Sequence, residues 1–205
     1  MKGRFITLEG GEGVGKSTQL KRLAAALRGK GIEVVETREP GGSPGAEAIR
    51  DLLLQGEVDR WTAETEALLF AAARSDHVAR TIVPALDRGA WVLCDRFLDS
   101  SLAYQGAAGG VGVEAIRTLH AIGSRGVLPD RTLLLELRAE AAAERMGARG
   151  GPDRIEARGD AYHQGVTAAF AALAQSEPGR YRRVDAGGTA DAVTERVLAA
   201  VEDLL

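Results

Sequence analysis

The sequence contains one cysteine, no asparagine and no long hydrophobic run. A single thiol, Cys94, cannot form an internal disulfide, which excludes the disulfide-rich secreted scaffolds. The stretch Met1-Lys2-Gly3-Arg4 is followed by only a few apolar residues before Glu9, so neither a signal peptide nor a transmembrane span is expected. We therefore expect a cytoplasmic protein that does not bind a membrane.

An excess of positive charge is also missing, because 26 Lys and Arg residues stand against 29 Asp and Glu residues, for a net charge of −3. No global positive field is available to bind a nucleic-acid duplex or an anionic membrane, so basic residues are expected to act locally. With 205 residues, 45% of them hydrophobic, the chain suits one α/β domain over residues 1–205, whereas two would be crowded.

Short apolar segments alternate with longer helical patterns along the chain. This alternation is typical of parallel strands joined by crossover helices, and it predicts a three-layer αβα fold with a five-stranded parallel sheet. In such sheets ligands bind beyond the carboxyl ends of the strands. The predicted strands are 5–8, 32–35, 91–94, 132–137 and 181–184, and predicted helices include 113–122, 139–146, 162–174 and 190–204.

Two further helical segments are indicated by apolar residues that recur at helical spacing. We expect these residues to face the core, and we expect Thr189 to cap the last helix. The two predicted core faces are Leu20, Leu23, Ala24 and Leu27, and Leu68, Leu69, Ala72 and Ala73.

The loop after the first predicted strand matches the G-x-x-x-x-G-K-[ST] pattern and opens an amphipathic helix. Backbone N–H groups of such a loop converge on phosphate oxygens, Lys16 reaches the β- and γ-phosphates, and the Ser17 hydroxyl can ligate Mg²⁺. The alternative is a flexible glycine turn that caps a helix. The pattern predicts that a nucleotide binds to Gly10-Gly11-Glu12-Gly13-Val14-Gly15-Lys16-Ser17, and we expect the adjacent Thr18 to belong to the same site.

The third predicted strand ends in a carboxylate, Asp95. P-loop proteins place an aspartate there to hold Mg²⁺, although an ion pair at the strand end would explain the same residue. A GTPase needs an Asn-Lys-x-Asp element, and this chain has no asparagine, so the GTPase class of P-loop proteins is disfavoured. A helicase usually needs a longer chain and a continuous track of basic residues, and neither is present in this sequence. Small phosphotransferases remain.

Several segments together resemble the bacterial thymidylate kinases. The resemblance implies a P-loop kinase fold, transfer of the γ-phosphoryl group of ATP to dTMP, a requirement for Mg²⁺ and a homodimer. The segments span residues 8–156 in the family's order, and they are Leu8-Glu9-Gly10-Gly11-Glu12-Gly13, Arg38-Glu39-Pro40-Gly41-Gly42, Asp95-Arg96-Phe97, Asp99-Ser100-Ser101-Leu102-Ala103-Tyr104-Gln105-Gly106 and Asp153-Arg154-Ile155-Glu156.

Three arginines follow predicted strands, so their guanidinium groups can face the acceptor phosphate, which they bind bidentately. The resemblance implies that Arg96 and Arg50 contact it directly and that Arg38, beside Pro40, supports them; a solvated helix face is the alternative for Arg50. It also implies that Glu12 binds the 3′-hydroxyl of the acceptor sugar; the alternative for Glu12 is a simple ion pair with a nearby arginine.

A Gly/Pro-rich segment at about 145–156 carries three arginines and resembles a lid, which would offset the charge on the transferring phosphoryl group and exclude water. The resemblance implies that Arg149 is the catalytic lid arginine. Many relatives carry arginine where this chain has Gly147, so Arg145 and Arg154 are expected to share the stabilisation of the phosphoryl charge. The alternative is a solvated basic loop.

Phe70 and Arg74 lie one helical turn apart and can present a ring and a guanidinium to one flat ligand. The resemblance implies that Phe70 stacks on thymine, Arg74 donates to its O4, Ser101 and Gln105 contact the remaining base edge, and Tyr104 packs under the sugar. Alternatively, Phe70 is a core aromatic and Arg74 a surface charge.

The predicted catalytic residues are thus Lys16, Arg149, Glu12 and Arg96, with Ser17 and Asp95 as metal ligands. Two other functions stay open: a deoxynucleoside kinase, which would need a carboxylate base, and a non-catalytic nucleotide-binding regulator, which would lack the lid arginines. The dispersed His77, His120 and His163 show no zinc-site spacing, so surface or cap roles are expected.

Overall fold

The computed structural model describes residues 3–138, 141–142, 145 and 153–205. Five parallel strands form one sheet in the order β2-β3-β1-β4-β5, which confirms the predicted five-stranded parallel sheet. The observed strands begin and end within three residues of the predicted ones. They are β1 (Phe5–Glu9), β2 (Val34–Arg38), β3 (Trp91–Asp95), β4 (Arg131–Glu136) and β5 (Tyr181–Asp185).

Helices cover both faces of the sheet, so the predicted three-layer arrangement is also confirmed. The helices are α1 (Lys16–Gly29), α2 (Pro44–Leu54), α3 (Ala63–His77), α4 (Val83–Asp87), α5 (Leu98–Ser101), α6 (Val113–Gly123), α7 (Asp160–Ser176) and α8 (Ala190–Ala199). π-Helical turns at Val78–Ile82 and Leu102–Ala108 continue α3 and α5, and a 3₁₀ turn at Glu202–Leu204 follows α8. Within the described residues, no helix is long and apolar enough to cross a membrane.

Two apolar clusters fill the layers. Phe5, Val92 and Leu134 point to the side covered by α3, α6 and α7, whereas Ile6 and Leu93 point to the side covered by α1 and α8. This division follows from the two-residue repeat of a strand, which sends successive side chains to opposite faces. Strands buried on both faces therefore read as continuous apolar runs, as the sequence showed.

The predicted core face of α1 and the predicted cap of α8 are correct. The four α1 residues are buried, and the Thr189 hydroxyl accepts from the N–H of Ala192 at 3.3 Å. Helix α2, which begins with Ser43 and Pro44 at its N-terminus, was not among the predicted helices. Much of the predicted helix 139–146 lies outside the described residues.

The predicted core face of α3 is wrong in part. Leu68 is 55% exposed and Ala72 is exposed, whereas the buried positions include Glu66, Arg74 and His77. Apolar periodicity predicted the wrong face because the inner face of α3 turns toward a polar cavity. Charged side chains can be buried on this face because each of them has a partner there.

The ends of three strands meet at one edge of the sheet. The register pairs Leu8 of β1 and Arg38 of β2 with Asp95 of β3. The loops that follow these residues therefore start at the same level, which is the edge at which parallel sheets bind ligands.

Candidate active site

A cavity opens at the carboxyl ends of β1, β2 and β3, and the structure gathers most of the predicted site residues around it. On the donor and acceptor-phosphate side they are Glu12, Gly13, Gly15, Lys16, Ser17, Arg38, Pro40, Arg50, Asp95 and Arg96, and on the base side Phe70, Arg74, Ser101, Tyr104 and Gln105. Val14 is buried in the core and Thr18 is exposed, and neither lines the cavity.

The loop between β1 and α1 has the backbone that phosphate binding needs. Gly10 has a φ of 131°, and a side chain there would overlap the carbonyl oxygen of Leu135, so only glycine fits. Helix α1 has no side-chain cap and no acidic residue in its first turn. Its N–H groups and the positive end of its dipole are therefore left to bind an anion.

Lys16 folds back over this loop. Its Nζ donates to the carbonyl oxygens of Gly11 at 2.7 Å and Gly10 at 3.2 Å. Burial and the neighbouring charge of Arg96 lower the pKa of Lys16 to about 8. A phosphate close to Nζ would favour the charged form, because opposite charges stabilise each other in a buried site.

Ser17 and Asp95 are joined at the same place. The Ser17 hydroxyl donates to Asp95 Oδ2 at 2.6 Å, and the neighbouring Arg96 pairs with Glu12 rather than with Asp95. A hydroxyl and a carboxylate are hard oxygen donors, which fit Mg²⁺. The described residues contain no group of three or more His, Cys, Asp or Glu placed to hold a metal, so phosphate oxygens and water would complete the coordination.

Arg96 is the centre of the hydrogen bonds in the cavity. Its φ of 68° is unusual for a residue with a side chain, and its guanidinium reaches back to the P-loop. Nη1 donates to Gly10 O and to Ser100 Oγ, both at 3.0 Å, while Nη2 donates to Glu12 and, at 3.2 Å, to the Tyr104 hydroxyl. One side chain therefore joins the donor loop to the acceptor side.

Glu12 is the anionic partner of Arg96. Burial alone would raise the pKa of Glu12, but Arg96 and Lys16 hold it at about 2, so Glu12 is ionised throughout the physiological range. For Arg96, burial lowers the pKa, and Glu12 and Tyr104 outweigh burial and raise it above its usual value. The alternative that Glu12 pairs with an arginine is thus present in the structure, and the pair faces the cavity.

The other two acceptor-side arginines are held differently. Arg50 donates to the carbonyl oxygen of Pro40 at 2.6 Å and lines the cavity, so it is not a fully solvated helix charge. Arg38 is 55% exposed, and its Nη2 donates to both oxygens of Glu47 at 3.1 and 3.2 Å. Both cations remain close enough to the cavity wall to meet an anionic ligand.

The base side of the cavity is formed by α3 and by the helical turns after β3. Arg74 is only 3% exposed, which rules out a surface charge, and its Nη2 donates to Ser101 Oγ at 2.8 Å. Phe70 is half-buried and lines the cavity rather than the centre of the core. Gln105 Nε2 donates to Glu66 Oε1 at 3.0 Å, which fixes the amide beside the cavity.

Arg154 does not lie with the donor-side cations. Its side chain is completely buried, donates to the carbonyl oxygens of Leu53 at 2.9 Å and Val58 at 3.0 Å, and forms an ion pair with Glu66. The structure thus assigns Arg154 to holding residues 153–158 against α2 and α3 instead of sharing the phosphate charge.

Arg145 is exposed and lies close to the P-loop. Its Nη2 donates to Ala186 O at 3.3 Å, and its Nη1 is 3.9 Å from where a Cβ on Gly15 would lie. Arg149 and Gly147 lie outside the described residues. Of the two described arginines from the predicted lid, Arg145 is therefore the one placed to approach a bound polyphosphate.

The buried pair of Glu66 and Arg154 gives a stability prediction. Replacing Glu66 with alanine leaves Arg154 without its counter-charge in a dry site, so unfolding free energy is expected to fall by about 3–5 kcal/mol. The matched control is Glu136→Ala, which breaks the exposed Glu136–Arg183 pair and is expected to cost less than about 1 kcal/mol. Urea unfolding followed by circular dichroism measures both, and equal losses would contradict the assignment.

Several residues of the site were not identified from the sequence. Glu9 is fully buried and accepts from the N–H of Phe97 at 2.8 Å and from Ser100 Oγ at 2.6 Å, so it supports the turn that carries Arg96. Burial and Asp99 raise the pKa of Glu9 to about 7. The sequence signal that could have identified Glu9 was its place as a carboxylate at the end of an apolar strand. Also missed as cavity-lining residues were Glu39, Leu54, Phe97, Ser100, Asp153, Ile155 and Glu156.

The expected surface role is wrong for two histidines. His77 is fully buried and His120 is 4% exposed, although His120 does lie in the last turn of α6. His120 Nε2 is 2.8 Å from Val127 O, and burial and the charge of Arg74 lower its pKa to about 4. His163 is partly buried, with Nε2 3.2 Å from Glu156 O.

Comparison with known proteins agrees with this geometry. Residues 8–197 match the thymidylate kinase family. The chain belongs to that family. It is 64% identical to the thymidylate kinase of Rhizorhabdus wittichii over the full length of both chains. It is 54% identical to that of Gluconobacter oxydans and 51% identical to that of Caulobacter vibrioides, in each case over 100% of this chain and 96% of the relative.

Membership of the family gives the activity. The protein is an enzyme that transfers the γ-phosphoryl group of ATP to dTMP, which yields dTDP for dTTP synthesis. The α/β fold with a P-loop and a parallel sheet is the fold of a kinase of this type.

Proposed function

We propose that this transfer takes place with ATP on the P-loop and dTMP between Arg96 and the inner face of α3. The observation that carries the proposal is that one cavity joins Lys16 and Ser17 to Phe70, Arg74 and the other base-side residues. The Arg96–Glu12 pair lies between the two sides, where the transferring phosphoryl group would pass.

Positioning and charge stabilisation account for the chemistry, because the acceptor is an ionised phosphate that needs no general base. Lys16 and the N–H groups of α1 stabilise the β- and γ-phosphate oxygens. Arg96 and Arg50 hold the acceptor phosphate in line, with Arg38 as support, and Glu12 binds the 3′-hydroxyl and keeps Arg96 oriented. Ser17 and Asp95 would hold Mg²⁺, which would supply fixed positive charge beside the phosphates.

We further propose that Arg149 provides the catalytic positive charge, with help from Arg145, which lies beside the P-loop. The chain acts as one domain in the cytoplasm and forms a homodimer. Support for the homodimer comes from α3 and α6, where Leu68 is 55% and Ile122 is 76% exposed. Large exposed apolar side chains on neighbouring helices favour contact with another protein surface.

Base selectivity tests the assignment of the base side. Cytosine presents an amino donor where thymine has O4, so the guanidinium of Arg74 would be left without an acceptor. We expect kcat/KM for dCMP to be at least about 100-fold below that for dTMP, and the loss for dUMP to be smaller because only a methyl group is missing. Steady-state kinetics of wild type and Arg74→Ala measure this.

In Arg74→Ala the ratio between dTMP and dCMP is expected to fall to about tenfold or less, because the donor that rejects cytosine is gone. The KM for ATP should change little, since Arg74 lies on the acceptor side. Unchanged selectivity in this variant would contradict the role given to Arg74.

A further inference from the structure

A chain of buried hydrogen bonds lies behind Arg74 and includes a histidine for which the proposed reaction has no use. Thr37 Oγ1 is 2.7 Å from His77 Nε2, His77 Nδ1 is 2.9 Å from Glu39 Oε1, and Arg74 Nε donates to Glu39 Oε2 at 2.8 Å. The side chains of His77, Glu39 and Arg74 are 0%, 4% and 3% exposed. The links between these side chains are therefore made within the protein, away from solvent.

The direction of these bonds follows from donor and acceptor chemistry. The Glu39 carboxylate only accepts, so His77 Nδ1 carries a proton and donates it. Each oxygen of Glu39 then has one strong partner, Arg74 on one side and His77 on the other. A carboxylate held at both oxygens cannot rotate without leaving a buried polar group unpaired, which is costly.

Glu39 in turn decides how Arg74 faces the cavity. Glu39 fixes Nε of the planar guanidinium, while Nη2 donates to Ser101 Oγ at 2.8 Å and to Phe97 O at 3.2 Å. Within the described part of the chain, Nη1 makes no hydrogen bond and is the nitrogen left for a ligand. Because the guanidinium is rigid and planar, fixing two of its nitrogens sets the direction of the third.

The surroundings of His77 leave it little freedom to move. Gly42 packs against its ring, and a side chain at Gly42, whose φ is 84°, would overlap His77 Nε2 and Thr37 Oγ1. His77 also lies three residues after Arg74 on α3, so the two side chains share one helix face. The imidazole therefore connects the end of β2 to the helix that carries Arg74.

We propose that His77 is a positioning residue for base selectivity, which it sets by holding Glu39 and thereby the direction of Arg74. This inference rests on the proposed role of Arg74 in binding the base. His77 contacts neither substrate nor phosphate, and it acts on Arg74 only through the carboxylate of Glu39.

Two amide variants separate this role from a general structural one. The amide nitrogen of asparagine lies where Nδ1 of histidine does, so His77→Asn keeps a donor for Glu39 and loses the contact to Thr37. In His77→Gln the longer side chain reaches the position of Nε2, keeps a partner for Thr37 and leaves Glu39 Oε1 without its donor. Both variants place a neutral amide in the same buried site, which makes each the control for the other.

The measurement is kcat/KM for dTMP and for dCMP in each variant, together with the KM for ATP. We expect His77→Gln to lower the ratio between dTMP and dCMP at least about fivefold and His77→Asn to keep it within about twofold, because only the former releases Glu39. The KM for ATP should stay within about twofold in both. Equal losses of selectivity in the two variants, or a preserved ratio in His77→Gln, would overturn the proposal.

The double variant Arg74→Ala/His77→Gln provides an independent check. If His77 acts through Arg74, adding His77→Gln to Arg74→Ala causes no further loss of selectivity, whereas additive losses would refute the proposal. If His77→Gln does not fold, His77→Leu takes its place; it removes the donor to Glu39 and is expected to lower the ratio at least about fivefold, and an unchanged ratio would refute the proposal.

The same measurements distinguish a failure of the role proposed for His77 from a failure of the role proposed for Arg74. A wild-type enzyme that uses dTMP and dCMP equally would refute the role of Arg74 itself. A wild-type enzyme that discriminates, loses discrimination in Arg74→Ala and keeps it in His77→Gln would refute only the role of His77.

Discussion

Lys16→Ala is expected to lower kcat by about two to four orders of magnitude with a smaller effect on the KM for dTMP, because the contact to the phosphates strengthens as charge develops during transfer. The structure supports this expectation, since Lys16 Nζ already lies over the P-loop carbonyl groups. Lys30→Ala is the matched control, because Lys30 is exposed at the other end of α1.

The same loss of about two to four orders of magnitude in kcat is expected for Arg149→Ala, which carries the assignment of the catalytic arginine. Arg145→Ala should have a smaller effect, and Arg154→Ala should act mainly on stability because Arg154 is buried against Glu66. If Arg149→Ala keeps a nearly normal kcat while Arg145→Ala abolishes turnover, the catalytic arginine is Arg145.

Arg96→Ala is expected to lower kcat/KM for dTMP by about three orders of magnitude, because it removes the proposed bidentate ligand of the acceptor phosphate and deprives Glu12 of its ion-pair partner. Arg96→Lys should recover only part of this loss. An ammonium group keeps the charge, but it lacks the planar guanidinium that lets Arg96 donate to the carbonyl oxygen of Gly10, to Glu12 and to the Tyr104 hydroxyl at once.

Arg38→Ala serves as the comparison for Arg96. Arg38 is 55% exposed and tied to Glu47, so its loss is expected to cost about tenfold in kcat/KM. The same coupled assay measures all three variants, and their thermal unfolding midpoints show whether folding is affected. A cost for Arg96→Ala no larger than that for Arg38→Ala would contradict the central place given to Arg96.

The sheet could be predicted from the sequence because strands buried on both faces form apolar runs that are visible locally. The P-loop was equally visible, since its glycines, Lys16 and Ser17 lie within eight consecutive residues. Helix α3 was harder, because its buried face includes Glu66, Arg74 and His77 beside two alanines, and hydrophobic periodicity assigns these three residues to solvent.

The parts of the site that sequence reasoning missed depend on partners far away in the chain. Glu39 lies 35 residues from Arg74 and 38 from His77, and Arg154 lies 88 residues from Glu66. Nothing local marks such charges as buried, because burial becomes tolerable only when the fold supplies the partner. Arg145 and Arg154 therefore looked alike in the sequence, and only the fold separates them.

The acceptor specificity of the wild-type enzyme is the decisive measurement for dTMP as the substrate. A coupled assay offers ATP with dTMP, thymidine, CMP, AMP or no acceptor and measures the rate at which ADP forms. We expect rapid ADP formation with dTMP, with dTDP as the product, and far slower rates for the other acceptors and for ATP alone. Preference for thymidine would indicate a kinase of the sugar hydroxyl, and absence of transfer to dTMP would indicate a nucleotide-binding regulator; either result would contradict phosphoryl transfer to dTMP as the activity of this enzyme.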